Sequence, residues 1–315
     1  MGARAAEVAS MGTPRFHGDI RRLPLVSLGQ GDYRTDIYPE DIDMHHAATD
    51  GFDVRVLVRE PAETYHAKAK DNLSSHALAE FRRCPLLFRR KELGLIPSKD
   101  SNAFLVGRAA HVLILEGRER YESEFAVGGP INPKTGMPFG SATKAFIEWA
   151  TQRGRPAIGD GDAAIVEEMA ASVKAHGAAQ ALLADGVAEG VARTRYAGHA
   201  CQARLDWINP RFGIVDLKTC DRLDSFEFDA RAFDYPHQLA FYRAVIEAAC
   251  GDELPVHIVA VEKREPFRTG VWRVAPALLE VARRANEAAM DALARCRETG
   301  EWPTGFESVR TLDRM

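Results

Sequence analysis

The chain of 315 residues is 46% hydrophobic and 27% charged, proportions that are typical of globular proteins and exclude collagen-like, low-complexity and fully disordered chains. Its 41 Lys and Arg residues against 45 Asp and Glu residues leave a net charge of −4, which excludes a uniformly basic, histone-like protein but not a local basic surface. The sequence has no apolar run near the roughly 18 residues of a membrane helix, and no apolar secretory segment at its start, so we expect a cytoplasmic protein that does not bind membranes.

The five cysteines are odd in number and widely spaced, at positions 84, 201, 220, 250 and 296. The sequence contains no CxxC pair, so structural zinc and thioredoxin-type chemistry lack their usual ligands. We therefore expect free thiols in a reducing compartment.

The chain divides into two predicted parts. Residues 1–65 mix short apolar runs with Gly, Asp and Arg, and we interpret them as a partly ordered N-terminal extension. The signals for regular structure become clear only after that point, which predicts a folded domain over residues 66–315.

The first elements predicted in this domain are helices. Ser74 or Ser75 is a suitable N-cap for a helix that Pro85 should kink or restart. The next helical segment ends at Gly94, a residue that suits a C-cap. A strongly apolar helix is predicted over 102–116.

The rest of the chain changes from helical to strand periodicity. A Gly- and Pro-rich stretch over 128–140 predicts a long loop, and helices are predicted over 141–152 and 162–184. Strands then follow over 191–196, 200–208, 213–219, 256–262 and 270–274, with helices over 235–249 and 276–297. This order predicts an α/β (α+β) domain with a central mixed sheet flanked by helices.

The segment ARLDWINPRFGIVDLKT, residues 203–219, carries the strongest chemical signal. Alternation along a strand puts Asp216 and Lys218 on the same face, and a turn after Asp206 brings the two strands side by side. Both carboxylates then converge on one hard cation, for which oxygen ligands suit Mg²⁺ or Mn²⁺. A neighbouring lysine can orient the attacking water and offset phosphate charge.

This pattern resembles the D…(D/E)xK signature of the PD-(D/E)xK nuclease superfamily. Asp206 provides the first acid, and Asp216, Leu217 and Lys218 provide the DxK triplet. The resemblance implies a restriction-endonuclease-like core around a mixed sheet.

Three more segments resemble the RecB-like branch of that superfamily. They are the opening segment LSSHALAEFRRCPLLF, a GxxxH motif that ends at His111, and a QxxxY motif formed by Gln238 and Tyr242. The segments NPKTGMPFG and VEKREPF are similar to the RecE-type, exonuclease VIII-like branch of phage recombination nucleases.

The resemblance implies roles for particular residues and a specific reaction. The implied metal ligands are His111, Asp206, Asp216 and the carbonyl of Leu217, and the implied catalytic residues are Lys218, Asp216, Asp206, Gln238 and Tyr242. The implied cofactor is Mg²⁺ or Mn²⁺. The implied activity is 5′→3′ digestion of linear double-stranded DNA by a ring-shaped homo-oligomer. This digestion leaves 3′ single-stranded tails for a single-strand annealing protein.

Basic residues outside these motifs are candidates for contacts with DNA phosphates. They are Arg82, Arg83, Arg89, Arg90, Lys144 and Arg204. The first four align at a spacing of seven only if one helix continues past Pro85, and a solvated basic face explains them equally well. Arg204 can pair with an acid instead of a phosphate. Glu189 is open to two interpretations, a further metal ligand or a solvated strand-edge residue.

One departure from the RecB-like pattern bears on cofactors. In several such nucleases, a cysteine in the position of Cys84 binds an iron–sulfur cluster with three C-terminal cysteines. Four thiolates are needed, and here only Cys296 lies near the C-terminus. The sequence therefore predicts no iron–sulfur cluster.

Other functions stay open on sequence grounds. A repair or defence nuclease acting on single strands or flaps would use the same residues. A non-catalytic protein that binds DNA ends is a further alternative, although it has no need of a metal-ready Asp/Asp/Lys set. A lyase using Lys218 as a Schiff base is the weakest, since a neighbouring Asp216 favours the charged amine.

Overall fold

The computed structural model describes residues 53–96 and 102–311, with side chains in the second range from residue 105 onward. Most of the predicted extension 1–65 lies outside these ranges. Its described end packs on the domain, because Leu57 is buried and Val58 forms an isolated antiparallel bridge with Val191.

Eleven helices belong to the described part of the chain. They are α1 (Ala62–Ala67), α2 (Ser75–Arg83), α3 (Pro85–Glu92), α4 (Asn102–His111), α5 (Arg118–Glu124), α6 (Lys144–Arg153), α7 (Asp160–Ala175), α8 (Gly177–Leu182), α9 (Phe226–Ala232), α10 (Tyr235–Cys250) and α11 (Pro276–Thr299). Within the described ranges, none of them is both long enough and apolar enough to cross a membrane.

The strands form two sheets. They are β1 (Ala126–Val127), β2 (Ala157–Ile158), β3 (Val187–Tyr196), β4 (His199–Asn209), β5 (Gly213–Cys220), β6 (Val256–Glu262) and β7 (Thr269–Arg273). The larger sheet has the order β3-β4-β5-β6-β7 and is antiparallel except for the parallel pair β5–β6. This arrangement confirms the predicted mixed sheet.

Helices cover both faces of this sheet. Side chains of α2, α10 and α11 form one core with Ile214 of β5, and side chains of α4 and α7 form a second core with Val215 and Leu217. Successive β5 residues thus face opposite cores, as strand alternation requires. Every residue of β6 is buried, because this inner strand is covered on both faces.

The helix boundaries confirm the prediction at one place and differ from it at two others. The chain is extended at Cys84, and α3 begins at Pro85, which confirms the predicted restart. The helix predicted over 162–184 is wrong as a single element, since it breaks at His176, whose ring nitrogen accepts the Ala179 N–H and caps α8. The helix predicted over 102–116 changes to a wider π-helical turn at Val112–Glu116.

Candidate active site

The site forms where β4 and β5 separate. Their register pairs Trp207 with Val215, and the next position places Asp206 opposite Asp216, where the ladder has ended. The Leu217 N–H donates to Oδ2 of Asp206 at 2.9 Å, so a carboxylate takes the place of a strand carbonyl as the acceptor. The opening of the ladder makes room for side-chain chemistry between two otherwise buried strands.

Asp216 and Lys218 form a buried ion pair. Asp216 Oδ2 lies 2.6 Å from Lys218 Nζ, and the Asp216 side chain is 1% exposed. Burial raises the pKa of Asp216 to about 6, against the opposing effect of Lys218. Burial works against the charge on Lys218, but Asp216 and Asp206 outweigh it and raise the pKa of the amine. The lysine is therefore held as a cation beside the acids.

His111 reaches this site from α4, on the other side of the sheet. Gly107, one turn earlier, faces β5, and a Cβ there would lie 3.5 Å from Thr219 Oγ1, an ordinary van der Waals distance. His111 Nδ1 lies 3.6 Å from Asp206 Oδ2. Burial, reinforced by Lys218, lowers the pKa of His111 to about 4. The ring is therefore a neutral imidazole, which is the form that binds metals.

Glu189 joins His111 and Asp206 in a candidate metal centre. Their ligand atoms lie within 4.8 Å of one another. Glu189 has a left-handed backbone (φ 55°) inside β3, an uncommon conformation for a non-glycine residue and one that is enriched at functional sites. Burial and the negative charge of Asp206 raise its pKa to about 8. The structure thus favours the metal-site interpretation of Glu189 over that of a solvated edge residue.

The donor set suits a hard divalent cation. Oδ1 of Asp216 is buried and has no hydrogen-bond partner among the described residues, which leaves a carboxylate oxygen available for a ligand. Carboxylate oxygens and one imidazole are ligands that Mn²⁺ accepts, and the oxygens suit Mg²⁺. His111, Glu189 and Asp206, whose ligand atoms lie within 4.8 Å of one another, are therefore the residues that fit such an ion. Asp216 lies outside this group of three and offers its unpartnered oxygen as a further ligand.

A polar chain extends from the lysine into α10. Lys218 Nζ donates to Gln238 Oε1 at 3.2 Å, and Gln238 Nε2 donates to the Tyr242 hydroxyl at 2.8 Å. The spacing of four residues puts Gln238 and Tyr242 on one helix face, as the sequence indicates. Lys218 Nζ also lies 4.7 Å from the centroid of the Tyr235 ring. Tyr235 was not singled out from the sequence, although its position three residues before Gln238 places it near that face.

The predicted DNA-binding residues are dispersed. Arg204 Nε lies 2.5 Å from Glu189 Oε2, so it pairs with an acid. Lys144 is 90% exposed on α6, beside Glu148. Arg89 pairs with Glu92 at 2.6 Å. Arg204 therefore lies beside the acids of the site, whereas Arg89 and Lys144 pair with other carboxylates.

Arg82 is also engaged within the protein. Its guanidinium donates a hydrogen bond to Oδ1 of Asn286 on α11. It also forms an ion pair with Asp234, the residue before α10, with Nη2 3.0 Å from Oδ2. Arg83 and Arg90 are exposed, but the break at Cys84 places them on two helices, so the spacing of seven does not align them.

Cys84 has a structural role at this break. Its Sγ accepts the Leu87 N–H at 3.4 Å and caps α3. Cys296 is buried on α11. These contacts account for both cysteines as parts of the protein fold.

Comparisons with known proteins agree with this geometry. No curated protein matches the chain. A crystal structure from Eubacterium rectale, described as a "putative exonuclease", is similar with a TM-score of 0.60 and 16% sequence identity, over 82% of this chain and 96% of that chain. At that identity, the likeness concerns the fold. The family model of a PDDEXK-like domain of unknown function, DUF3799, matches residues 74–314. The resemblance to the PD-(D/E)xK superfamily is thereby confirmed, and the chain belongs to this PDDEXK-like family.

Proposed function

We propose that this protein is a divalent-metal-dependent deoxyribonuclease that degrades linear double-stranded DNA from its ends. The observation that carries the proposal is the meeting of His111, Asp206 and the Asp216–Lys218 pair where β4 and β5 separate. Membership of a PDDEXK-like family and the similarity to a structure described as a "putative exonuclease" support it.

The acids and the imidazole hold the cofactor in this proposal. His111, Asp206 and Asp216, with Glu189 and the carbonyl of Leu217, would bind Mg²⁺ or Mn²⁺. When bound, the ion supplies a Lewis acid and lowers the pKa of a water molecule. The neutral His111 ring offers a lone pair without adding positive charge.

Lys218 orients the nucleophile and offsets the charge of the scissile phosphate. Asp216 and the Gln238 oxygen hold its amine from two directions, so its position is fixed before substrate arrives. Tyr242 fixes the Gln238 amide in turn, because its hydroxyl accepts a hydrogen bond from Nε2. Gln238 and Tyr242 therefore position the lysine.

The finer parts of the proposal extend the resemblance to the RecE-type branch. They are 5′→3′ polarity, 3′ single-stranded tails made for recombination by annealing, a ring-shaped homo-oligomer, an annealing-protein partner and a cytoplasmic location. Phosphate contacts by the exposed Arg83, Arg90 and Lys144 belong to the same proposal.

The test is digestion of linear double-stranded DNA labelled at the 5′ or the 3′ end, with Mg²⁺, Mn²⁺ or EDTA. We expect metal-dependent release of the 5′ label first, and a loss of roughly a thousandfold or more in rate for Lys218→Ala. Lys263→Ala is the matched control, because Lys263 pairs at 3.2 Å with the exposed Asp221, and this substitution should leave the rate unchanged. Digestion in EDTA, or full activity of Lys218→Ala, would contradict the proposal. Early release of the 3′ label would contradict the polarity alone.

A further inference from the structure

A cluster of aromatic rings lies on α9 and the turn into α10. Phe226 packs on Trp272 with ring centroids 4.5 Å apart and lies 6.3 Å from Tyr235. Tyr235 lies 5.9 Å from Phe233, with ring planes 31° apart. The cluster thus runs from a buried anchor, Phe226, to a ring at the surface.

The outer ring of the cluster is open to solvent. Phe233 is 66% exposed, and Phe228 on α9 is 71% exposed. Burial of a phenylalanine ring is normally favourable, so a ring that is open to solvent beside a candidate active site is available to contact a substrate.

The turn that presents Phe233 is held in place. Asp234, the next residue, has a left-handed backbone (φ 62°) and lies 3.0 Å from Arg82. Arg82 also bonds Asn286 of α11, whose amide donates to the carbonyl of His237 at 2.8 Å. An ion pair to α2 and a hydrogen bond to α11 therefore hold the turn in place on both sides. Because the backbone of this turn is already ordered, the protein loses little conformational entropy when Phe233 contacts a flat partner.

The aromatic cluster contacts Lys218 through the ring of Tyr235. Lys218 Nζ lies 4.7 Å from the Tyr235 centroid, and Tyr235 lies 5.9 Å from Phe233. A phosphate at Lys218 would therefore have Tyr235 beside it and the exposed ring one further contact away. In a nucleotide, a single sugar separates the phosphate from a flat aromatic base.

We infer that Phe233 and Tyr235 form a stacking platform for an unpaired nucleobase of the strand that is cut. The inference rests on the proposed nuclease function and names the form in which the substrate enters the site. Stacking suits every base, because each one has a π face, so the platform needs no sequence preference.

This platform has a consequence for double-stranded DNA. A base inside a duplex already stacks on its neighbours, so it reaches Phe233 only after the terminal base pair has opened. The platform therefore favours frayed or single-stranded ends, and the free energy of stacking offsets part of the cost of unpairing.

The test measures binding without cleavage, so that its result does not depend on turnover. The probe is a single-stranded oligonucleotide with 2-aminopurine at its 5′ end, titrated with wild-type protein in EDTA. Stacking on an aromatic ring quenches this base. We expect Phe233→Ala to abolish the quenching and weaken binding roughly tenfold, and Phe233→Trp to retain both.

Two controls separate stacking from a structural effect. Phe228→Ala removes an equally exposed ring of α9 and should change the affinity less than about twofold. A probe with an abasic 5′ end should bind wild type and Phe233→Ala with equal affinity, because it has no base to lose.

Three results would overturn the inference. The first is unchanged quenching in Phe233→Ala. The second is a loss of affinity of Phe233→Ala for the abasic probe that equals its loss for the 2-aminopurine probe. The third is a change in the oligomer mass of Phe233→Ala, measured by light scattering, while quenching persists. The last result would make the surface a contact between copies of the chain. Failure of the DNA digestion with intact base quenching would overturn the nuclease proposal and leave the platform standing.

Discussion

The buried pair of Asp216 and Lys218 should be energetically coupled to a degree that a surface pair is not. Their charged atoms are 2.6 Å apart, and the side chains are 1% and 14% exposed. Coulomb's law with an effective dielectric constant of about 20 gives an attraction of about 6 kcal/mol. Desolvation of both charges offsets part of this, so we expect a net coupling of roughly 2–3 kcal/mol.

The perturbation is a double-mutant cycle of Asp216→Asn and Lys218→Met. Lys218→Met alone leaves a buried carboxylate without its partner and should lower the free energy of unfolding by about 3 kcal/mol. The double variant should lose less than the sum of the two single variants, by the coupling energy. The assay is urea unfolding at pH 7 in EDTA, followed by far-UV circular dichroism.

Lys263→Met provides the surface comparison. Lys263 is 28% exposed and its partner Asp221 is 62% exposed, so solvent screens this pair more than the buried one, and we expect a change below about 1 kcal/mol. Additivity of Asp216→Asn and Lys218→Met within about 0.5 kcal/mol would refute the reasoning, because it would mean that the two charges do not interact in the folded protein.

Two further predictions concern the scaffold. Burial, reinforced by Arg273, lowers the pKa of His257 from 6.5 to about 4, so the unfolded chain binds a proton that the folded chain does not. His257 should therefore contribute a fall of roughly 3 kcal/mol in the free energy of unfolding between pH 6.5 and pH 4. Urea titrations of His257→Gln should show a fall that is smaller by this amount, and a fall equal to that of the wild type would contradict the prediction. Gly213→Ala should cost about 3 kcal/mol, since φ is 82° and a Cβ would lie 2.3 Å from the Pro255 carbonyl oxygen. Gly251→Ala, with φ at 86° but no described atom within 4 Å, should cost about 1 kcal/mol, and equal losses in thermal melts would refute the steric argument.

The sequence predicts the local parts of this molecule well. The alternation of β5 places Asp216 and Lys218 on one face, and the spacing of four residues places Gln238 and Tyr242 on one helix face. Pro85 ends one helix and begins the next. These features depend on the periodicity and backbone restrictions of neighbouring residues, which are written in the sequence itself.

Errors arise where local signals are weak. The helix predicted over 162–184 is continuous in its apolar pattern, and only the cap formed by His176 divides it. Strand β3 begins at Val187, four residues before the predicted start, because Val187 pairs with Ile208 of β4. Pairing with a partner strand extends a strand beyond what its own residues favour.

The composition of the site beyond its motifs was decided by tertiary structure. Sequence alone left Glu189 and Arg204 with two interpretations each, and only the β3–β4 pairing brings them together beside Asp206. Nothing in the sequence around Phe233 places its ring within two contacts of Lys218. Motif residues follow from short-range geometry, whereas these neighbours depend on how distant strands and helices pack, and that information is distributed over the whole chain.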